Sequence, residues 1–411
     1  MSAPVNQVPA ARMMMLLDEL AAFSSPGPGV TRLLYTEAWS KAQIFLQEKM
    51  ASVGLETSTD KVGNVYGRLA GIRPEEPVIL TGSHIDTVVN GGKYDGAYGV
   101  AAAVIALDNL RQTFGQPLRT LEVVSFCEEE GSRFPLTFWG SGHVTGLYDG
   151  DTGRNSAASS GVTIEQAMSA CGFEGGPAER KDIGAYVELH IEQGIILENK
   201  AIQIGIVQAI AGQRRFIVKV SGTANHAGTT PMNLRRDALG GAAEMLYMLE
   251  RLAGEAGEPL VATSGRLEVY PNTPNVIPGG VLFTLDIRHS EEEKLGKFCN
   301  LIFSTFEEIA VRRDLGLEIE STLHSSPAPM NEGLCSRLEQ ICQKQGRTYL
   351  PMVSGAGHDA QLFAPKCKTA MIFVPSQAGI SHSPDEYSSP EDLTAGLEVL
   401  TALLYDLAYK E

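Results

Sequence analysis

The residues with the clearest chemical potential are His84, Asp86 and Asp95, in the stretch HIDTVVNGGKYD. An apolar run at 78–82 reads as a buried strand that delivers His84 to an edge of the fold, and Asp86, two residues on, falls on the same side of an extended backbone. A base and a carboxylate are thereby placed together, with Asp86 set to hold the second ring nitrogen of His84 as the partners of metal-bound histidines do. Asp95 follows a Gly91-Gly92 turn and precedes a helical apolar pattern at 100–110, so it sits at a strand-to-helix crossover, where sites in α/β sheets gather. That layout fits a metal site; a strand-end histidine with two solvated turn aspartates is the plainer alternative.

A second informative place follows. Residues 119–126 read as a buried strand running directly into Cys127-Glu128-Glu129-Glu130-Gly131. Carboxylates crowded at the end of a central strand repel one another until protonation or a cation relieves them. With one glutamate bound to metal and its neighbour free, the free carboxylate can take the proton of a water, as in metal-assisted hydrolysis; a solvated acidic loop is the alternative. The strand at 186–194 carries His190 on the same face as Glu188 and Glu192, and His382 lies beyond another buried strand at 369–374. His84, Asp95, Glu130 and His382, with His190 as a fifth, all fall at or just past the ends of strands that a parallel sheet aligns at one edge. Nitrogen and oxygen donors without thiolates suit zinc, manganese or cobalt.

Strands and helices have to bring these residues to one place. Helical patterns at 13–20 and 36–50, the latter stopped by Gly54, precede a short strand at 64–69 and the strands already described. From 216 the pattern changes: a strand at 216–220, a helix at 237–252, strands at 260–269 and 281–288, a helix at 291–313 and a strand at 317–324. That βαββαβ order is the ferredoxin-like split unit, a two-layer domain of its own, and it reads as an insertion because parallel α/β sheet patterns flank it. Residues 226–231 are expected in a loop of this domain, with Asn275 and Arg288 flanking its middle hairpin; a surface ion pair is the plain reading of Arg288. The outer domain resumes with a helix at 338–343 and a glycine loop, 354–359, capping a short helix. The expected division is a discontinuous catalytic domain, 1–212 with 327–411, and an inserted domain, 213–326.

A chain of 411 residues exceeds what one core usually serves, in keeping with two domains. Its 33 Lys and Arg against 49 Asp and Glu give a formal charge of −16, which argues against nucleic acid or an anionic membrane as partner. The first residues show no basic stretch before an apolar core, so neither signal peptide nor anchor is expected and the location expected is cytoplasmic. The 6 cysteines lack C-x-x-C spacing and read as reduced thiols. Residues 150–161 read as a surface excursion.

The segments GSHIDTVVNGGKYDG, EEEGSRFP, VELHIEQG, GQRRF, NHAGTTPM, NTPNVIPG, DIRH, GAGHDA and GISHSP resemble those of the dinuclear metal amidohydrolases related to aminoacylase and carboxypeptidase G, along essentially the whole chain. Within that family the resemblance is to the branch acting on allantoate and other N-carbamoyl acids. It implies an α/β, mixed-sheet metallohydrolase domain with an inserted ferredoxin-like α+β domain that serves as lid and as the contact of a homodimer. It implies two divalent ions per subunit, Mn2+ or Zn2+, with His84 and His190 on different ions, Asp95 bridging both, and Glu130 and His382 completing the pair. Glu129 is then the general base, Asp86 orients His84, and His226 reaches the partner subunit's site to polarise the substrate carbonyl. Arg288, able to grip a carboxylate at two points, is the expected anchor of the substrate carboxylate with Gln213, Asn275 and the Gly357 backbone. The implied activity is hydrolysis of the ureido group of allantoate, a small-molecule ureido acid. N-carbamoyl-L-amino acid hydrolysis is the nearest alternative, and a metal-free binding protein on the same scaffold a distant one.

Overall fold

Runs that are apolar on both faces become the middle of a sheet, because only burial on both sides suits them. The computed structural model describes residues 10–149, 152–176 and 178–411; residues 1–9, and Gly150 and Asp151 of the excursion at 150–161, lie outside the described residues. The chain opens with α1 (Ala10–Ala21) and α2 (Glu37–Ser52), the latter capped by the Thr36 hydroxyl, which accepts the Trp39 N–H. There follow β1 (Glu56–Thr59), β2 (Val65–Leu69), β3 (Val78–His84), α3 (Ala97–Phe114), β4 (Leu121–Phe126), α4 (Trp139–Val144), α5 (Ile164–Ala170), β5 (Ile183–Ile191), α6 (Ile196–Asn199) and β6 (Ile204–Ile210). Next come β7 (Gly212–Ser221), β8 (Asn225–His226), α7 (Ala238–Ala256), β9 (Val261–Thr263), β10 (Leu267–Tyr270), β11 (Val276–Ile277), β12 (Gly280–His289), α8 (Glu292–Arg312), β13 (Gly316–Ser325) and β14 (Ala328–Pro329). The chain closes with α9 (Glu332–Gln345), β15 (Tyr349–Ser354), α10 (Ala360–Phe363), β16 (Lys368–Val374) and α11 (Pro390–Ala408). No described helix is long and apolar enough to cross a membrane.

Two compact units result, the described residues of Met1–Gln208 with Met330–Glu411, and Ala209–Pro329. In the first, the sheet runs β1-β2-β4-β3-β5-β16-β6, with β15 also on β6; β14 pairs the last two residues of β6, Ala209 and Ile210, which with it belong to the second unit. β4, β3, β5 and β16 are mutually parallel, while β2 and β6 flank them antiparallel, so the sheet is mixed. The parallel strands are buried along nearly their whole length. Their C-terminal ends therefore meet at one edge, which receives His84, the Glu128–Glu130 run, His190 and the segment leading to His382. α3 is buried on every side from Ala97 to Leu107, as its alanine-rich sequence allows, and packs between the sheet and α1 and α11.

The second unit is an antiparallel sheet, β10-β12-β7-β13, with β9 also on β12. β7 and β12 alternate buried and outward residues, and the buried set (Phe216, Val218, Phe283, Leu285) packs with Met245 of α7 and Ile302 and Phe306 of α8. Two details differ from the expectation drawn from sequence. The strand read at 260–269 is two strands: β9 pairs Thr263 with Asp286, β10 pairs Leu267 with Phe283, and the one-residue offset between those registers is a bulge at 264–266. His226 lies not in an open loop but in a short ladder, opposite Val276 of β11.

Candidate metal centre

His84 and His190 each have Nδ1 tethered and Nε2 turned toward Asp95. His84 Nδ1 lies 3.1 Å from the Asp86 carbonyl oxygen and 3.2 Å from Asp86 Oδ1, two acceptors that assign the proton to Nδ1 and leave Nε2 free. His190 Nδ1 donates to the Ile191 carbonyl at 2.9 Å, while Nε2 accepts the Gly96 N–H at 3.1 Å. Both Nε2 atoms face one oxygen: Asp95 Oδ1 is 3.6 Å from His84 Nε2 and 3.2 Å from His190 Nε2. Gly96, at φ 60, is needed there, since a Cβ would meet His84 Nε2 at 2.5 Å.

The other oxygen of Asp95 faces a different pair. His382 Nε2 lies 3.2 Å from Asp95 Oδ2 and 3.4 Å from Glu130 Oε1. Gln193 Nε2 also donates to Asp95 Oδ2, at 2.9 Å. Two groups thus share Asp95: His84, Asp95 and His190, all buried, and Asp95, Glu130 and His382, of which His382 is half-exposed. Within each group the ligand atoms lie within 4.8 Å of one another. The resemblance implied that His84 and His190 serve different ions; the geometry puts both on Oδ1 of Asp95, with Glu130 and His382 on the Oδ2 side.

Asp86 does more than orient His84. Its Oδ1 accepts the Glu129 N–H at 3.0 Å and its Oδ2 the Glu130 N–H at 3.1 Å, so the turn after β4 is folded around this carboxylate. The three glutamates then separate in role. Glu128 is buried, and burial with the nearby charge of Asp86 raises its pKa well above the usual carboxylate range. Glu129 is raised likewise by burial and by Glu130, Asp359 and Asp86, against the opposing pull of His84. Glu130 is pushed up to about 8 by burial and Asp95, and its Oε1 is buried without a hydrogen-bond partner among the described residues. Burial would raise Asp95 too, but its hydrogen bonds with His190, His382 and His84 outweigh that and hold it well below the usual range. Carboxyls raised by burial and an orphaned buried oxygen beside imidazole nitrogens are what a cation site of nitrogen and oxygen donors presents. Divalent zinc or manganese fits that donor set.

Glu386 escaped the sequence reading, and so did the roles of Glu188, Glu192 and His358. Glu386, buried, accepts the backbone N–H groups of Tyr94 and Asp95 at 3.0 and 3.1 Å. Glu188 and His358 make a further group with His190, but both Glu188 oxygens are occupied, one by the Ser83 hydroxyl at 2.7 Å and one by the Ala360 N–H at 2.9 Å. Glu192, seen on the His190 face, instead caps α6 by accepting the Ile196 and Leu197 N–H groups. The signal available was the density of acids and amides in VELHIEQG and GISHSPDE, which spacing alone does not resolve into roles.

Of the substrate-binding candidates, Gly357 lies in the first unit, in the loop before α10. In the second unit, Gln213 and Arg288 are paired across β7 and β12, and both bond Asp286: Gln213 Nε2 at 2.6 Å, Arg288 Nε at 2.9 Å and Nη2 at 3.0 Å. β8 and β11 bring His226 beside Asn275, whose carbonyl accepts the Ala227 N–H at 3.0 Å.

A sequence model of the family described as Peptidase family M20/M25/M40 matches residues 80–406. The allantoate amidohydrolase of Bacillus subtilis (strain 168) is 47% identical over 389 residues, 94% of this chain and 94% of that protein. That of Escherichia coli (strain K12) is 46% identical over 399 residues, 96% of this chain and 97% of that protein. Among solved structures, an amidase of the hydantoinase/carbamoylase family from Burkholderia multivorans superposes with a TM-score of 0.93 at 33% identity, over 98% of each chain.

Proposed function

The chain belongs to peptidase family M20/M25/M40, and on that premise we propose that it is a metal-dependent hydrolase of a non-peptide C–N bond whose substrate is allantoate. Water and one ureido group of allantoate give ureidoglycine, ammonia and carbon dioxide, a step of allantoin nitrogen catabolism. The likeness to two allantoate amidohydrolases supports the substrate. The observation that carries the chemistry is the division of Asp95, with Oδ1 toward His84 and His190 and Oδ2 toward His382.

In this reading two divalent ions, Mn2+ or Zn2+, are held by His84, Asp95 and His190 and by Asp95, Glu130 and His382. When bound, they supply Lewis acidity to a water and to the ureido carbonyl oxygen. Glu129, left out of the ligand set, takes the proton of the attacking water and later delivers it to the departing nitrogen. The burial and neighbouring carboxylates that raise Glu129 make it a stronger base than a surface glutamate. Asp86 fixes the tautomer of His84 and the backbone of the base together.

Gln213, Asn275 and Arg288, with the Gly357 backbone, are proposed to hold the substrate carboxylate, and His226, acting on the partner subunit's site, to polarise the carbonyl. Residues 213–326 are proposed as a lid and dimerisation domain, residues 1–212 and 327–411 as the catalytic domain, and the cytoplasm as the location. The test is ammonia release from allantoate and from a series of N-carbamoyl-L-amino acids by the metal-loaded protein. Allantoate should have the highest kcat/KM; a higher value for an N-carbamoyl amino acid overturns the assignment in favour of that activity.

A further inference from the structure

The turn that carries Asp95 is held from a point far away in sequence. Glu386 Oε1 accepts both the Tyr94 N–H, at 3.0 Å, and the Asp95 N–H, at 3.1 Å. Successive N–H groups aimed at one oxygen form a cradle for an anion, and buried donors of this kind are costly to leave unpaired. The approach is so close that Gly92 has no room for a side chain: a Cβ there would lie 2.0 Å from Glu386 Oε1.

The other oxygen of Glu386 reaches the C-terminal ligand segment. Oε2 accepts the Ser381 hydroxyl at 2.8 Å. Ser381 Oγ in turn accepts Gln193 Nε2 at 3.1 Å, and the same amide nitrogen donates to Asp95 Oδ2 at 2.9 Å. A closed circuit results: Asp95 backbone, Glu386, Ser381, Gln193, Asp95 carboxylate.

We propose that Glu386 is a positioning residue for the ion of Asp95, Glu130 and His382, tying the turn of the shared carboxylate to the segment of His382 and thereby setting the affinity of that ion. The inference rests on the two-ion reading above. His382 directly follows Ser381, is half-exposed and sits at φ 54, a left-handed conformation uncommon outside glycine. The Glu386–Ser381 contact anchors the residue next to it. His84 and His190, by contrast, stand on the paired strands β3 and β5, and each ring is tethered by its own partner. When Glu386 is removed, their ion keeps both tethered rings and loses only the fixing of the Asp95 turn, so the larger effect falls on the ion of Asp95, Glu130 and His382.

The experiment is a titration of metal-free protein with Co2+ against a chromophoric chelator, for wild type, Glu386→Ala, Glu386→Gln and Ser381→Ala, with circular dichroism and a thermal melt of each metal-free protein. Wild type should take up two Co2+ per chain; fewer would overturn the two-ion reading and this proposal with it. In Ser381→Ala one Co2+ should bind as in wild type, in Glu386→Ala within a few-fold of it, and in both variants the other Co2+ should bind about 10- to 100-fold more weakly, with the visible absorption of one site diminished. Glu386→Gln, which keeps an acceptor for the two N–H groups, should fall between. If wild type binds two Co2+ and the folded variants bind both with unchanged affinity, or lose both equally, the positioning role is overturned while the two-ion reading stands. Should Glu386→Ala fail to fold, Ser381→Ala, which deletes a single hydroxyl, decides the matter.

Discussion

Asp86 Oδ1 lies 3.0 Å from the backbone nitrogen of Glu129 and 3.2 Å from His84 Nδ1. One oxygen therefore governs both the ring that offers a lone pair and the backbone of the residue assigned as base, and the second oxygen holds Glu130 by its N–H. Asn at this position keeps a single acceptor and turns an amide against an N–H donor. Asp86→Asn should lower kcat by about 10- to 100-fold and reduce metal content, with KM less affected. Steady-state ammonia release and metal analysis check this, and wild-type values for both would remove Asp86 from the mechanism.

The sharing of Asp95 makes two ligand deletions unequal. Asp95→Ala takes an oxygen from both groups, so metal content should collapse toward zero. His382→Ala takes a donor from one group only, and about half of the metal should remain after dialysis. Retention of both ions by Asp95→Ala would refute a bridging carboxylate.

Neighbouring glutamates should separate in the same way. Glu129→Gln should keep the metal and the fold and lower turnover by about a hundredfold to ten-thousandfold, the usual size of a general-base contribution. Glu130→Gln should weaken metal binding first, and added metal should restore part of its activity. The reverse pattern would mean that the two roles are exchanged.

Metal uptake should depend on pH with a definite sign. Burial and Asp95 push Glu130 up to about 8, and the hydrogen bond to Asp95 pulls His382 up to about 9. Each must lose its proton to offer a lone pair, so metal affinity should rise with pH through about 8 and about 9. At pH 7 binding should release protons, seen as a calorimetric heat that scales with the ionisation enthalpy of the buffer. Zero release at that pH would contradict these two ligands.

Much of this site can be read from residue types alone, because its ligands sit where strand patterns end. His84, Glu130 and His190 are each carried by a run whose apolar character marks a central strand, and parallel central strands share an edge by construction. The βαββαβ order of the second unit is legible for a similar reason: its alternating strands and long amphipathic helices have distinct periods. Contacts made by chain return are not legible. Glu386 reads as one more acid in a polar loop until the fold brings it to Tyr94 and Asp95. Asp286 looks like an ordinary strand-end aspartate until β7 lies beside β12 and Gln213, Arg215 and Arg288 converge on it. The allotment of His84 and His190 to one side of Asp95 is also hidden, since it depends on which oxygen each ring faces.

The place of β16 between β5 and β6 has a consequence for how the molecule is made. β5 and β6 emerge from the ribosome close together, separated only by α6, yet the strand that belongs between them is synthesised after the whole of Ala209–Pro329. During that interval two strand edges stand open, and their direct pairing would seal the gap that β16 must enter. The second unit has no such debt, since its strands are contiguous in the chain and it can fold as soon as it is released. Translation that stops before Lys368 therefore yields not a smaller enzyme but a finished second unit joined to an open sheet, a product for chaperones or proteases rather than for catalysis.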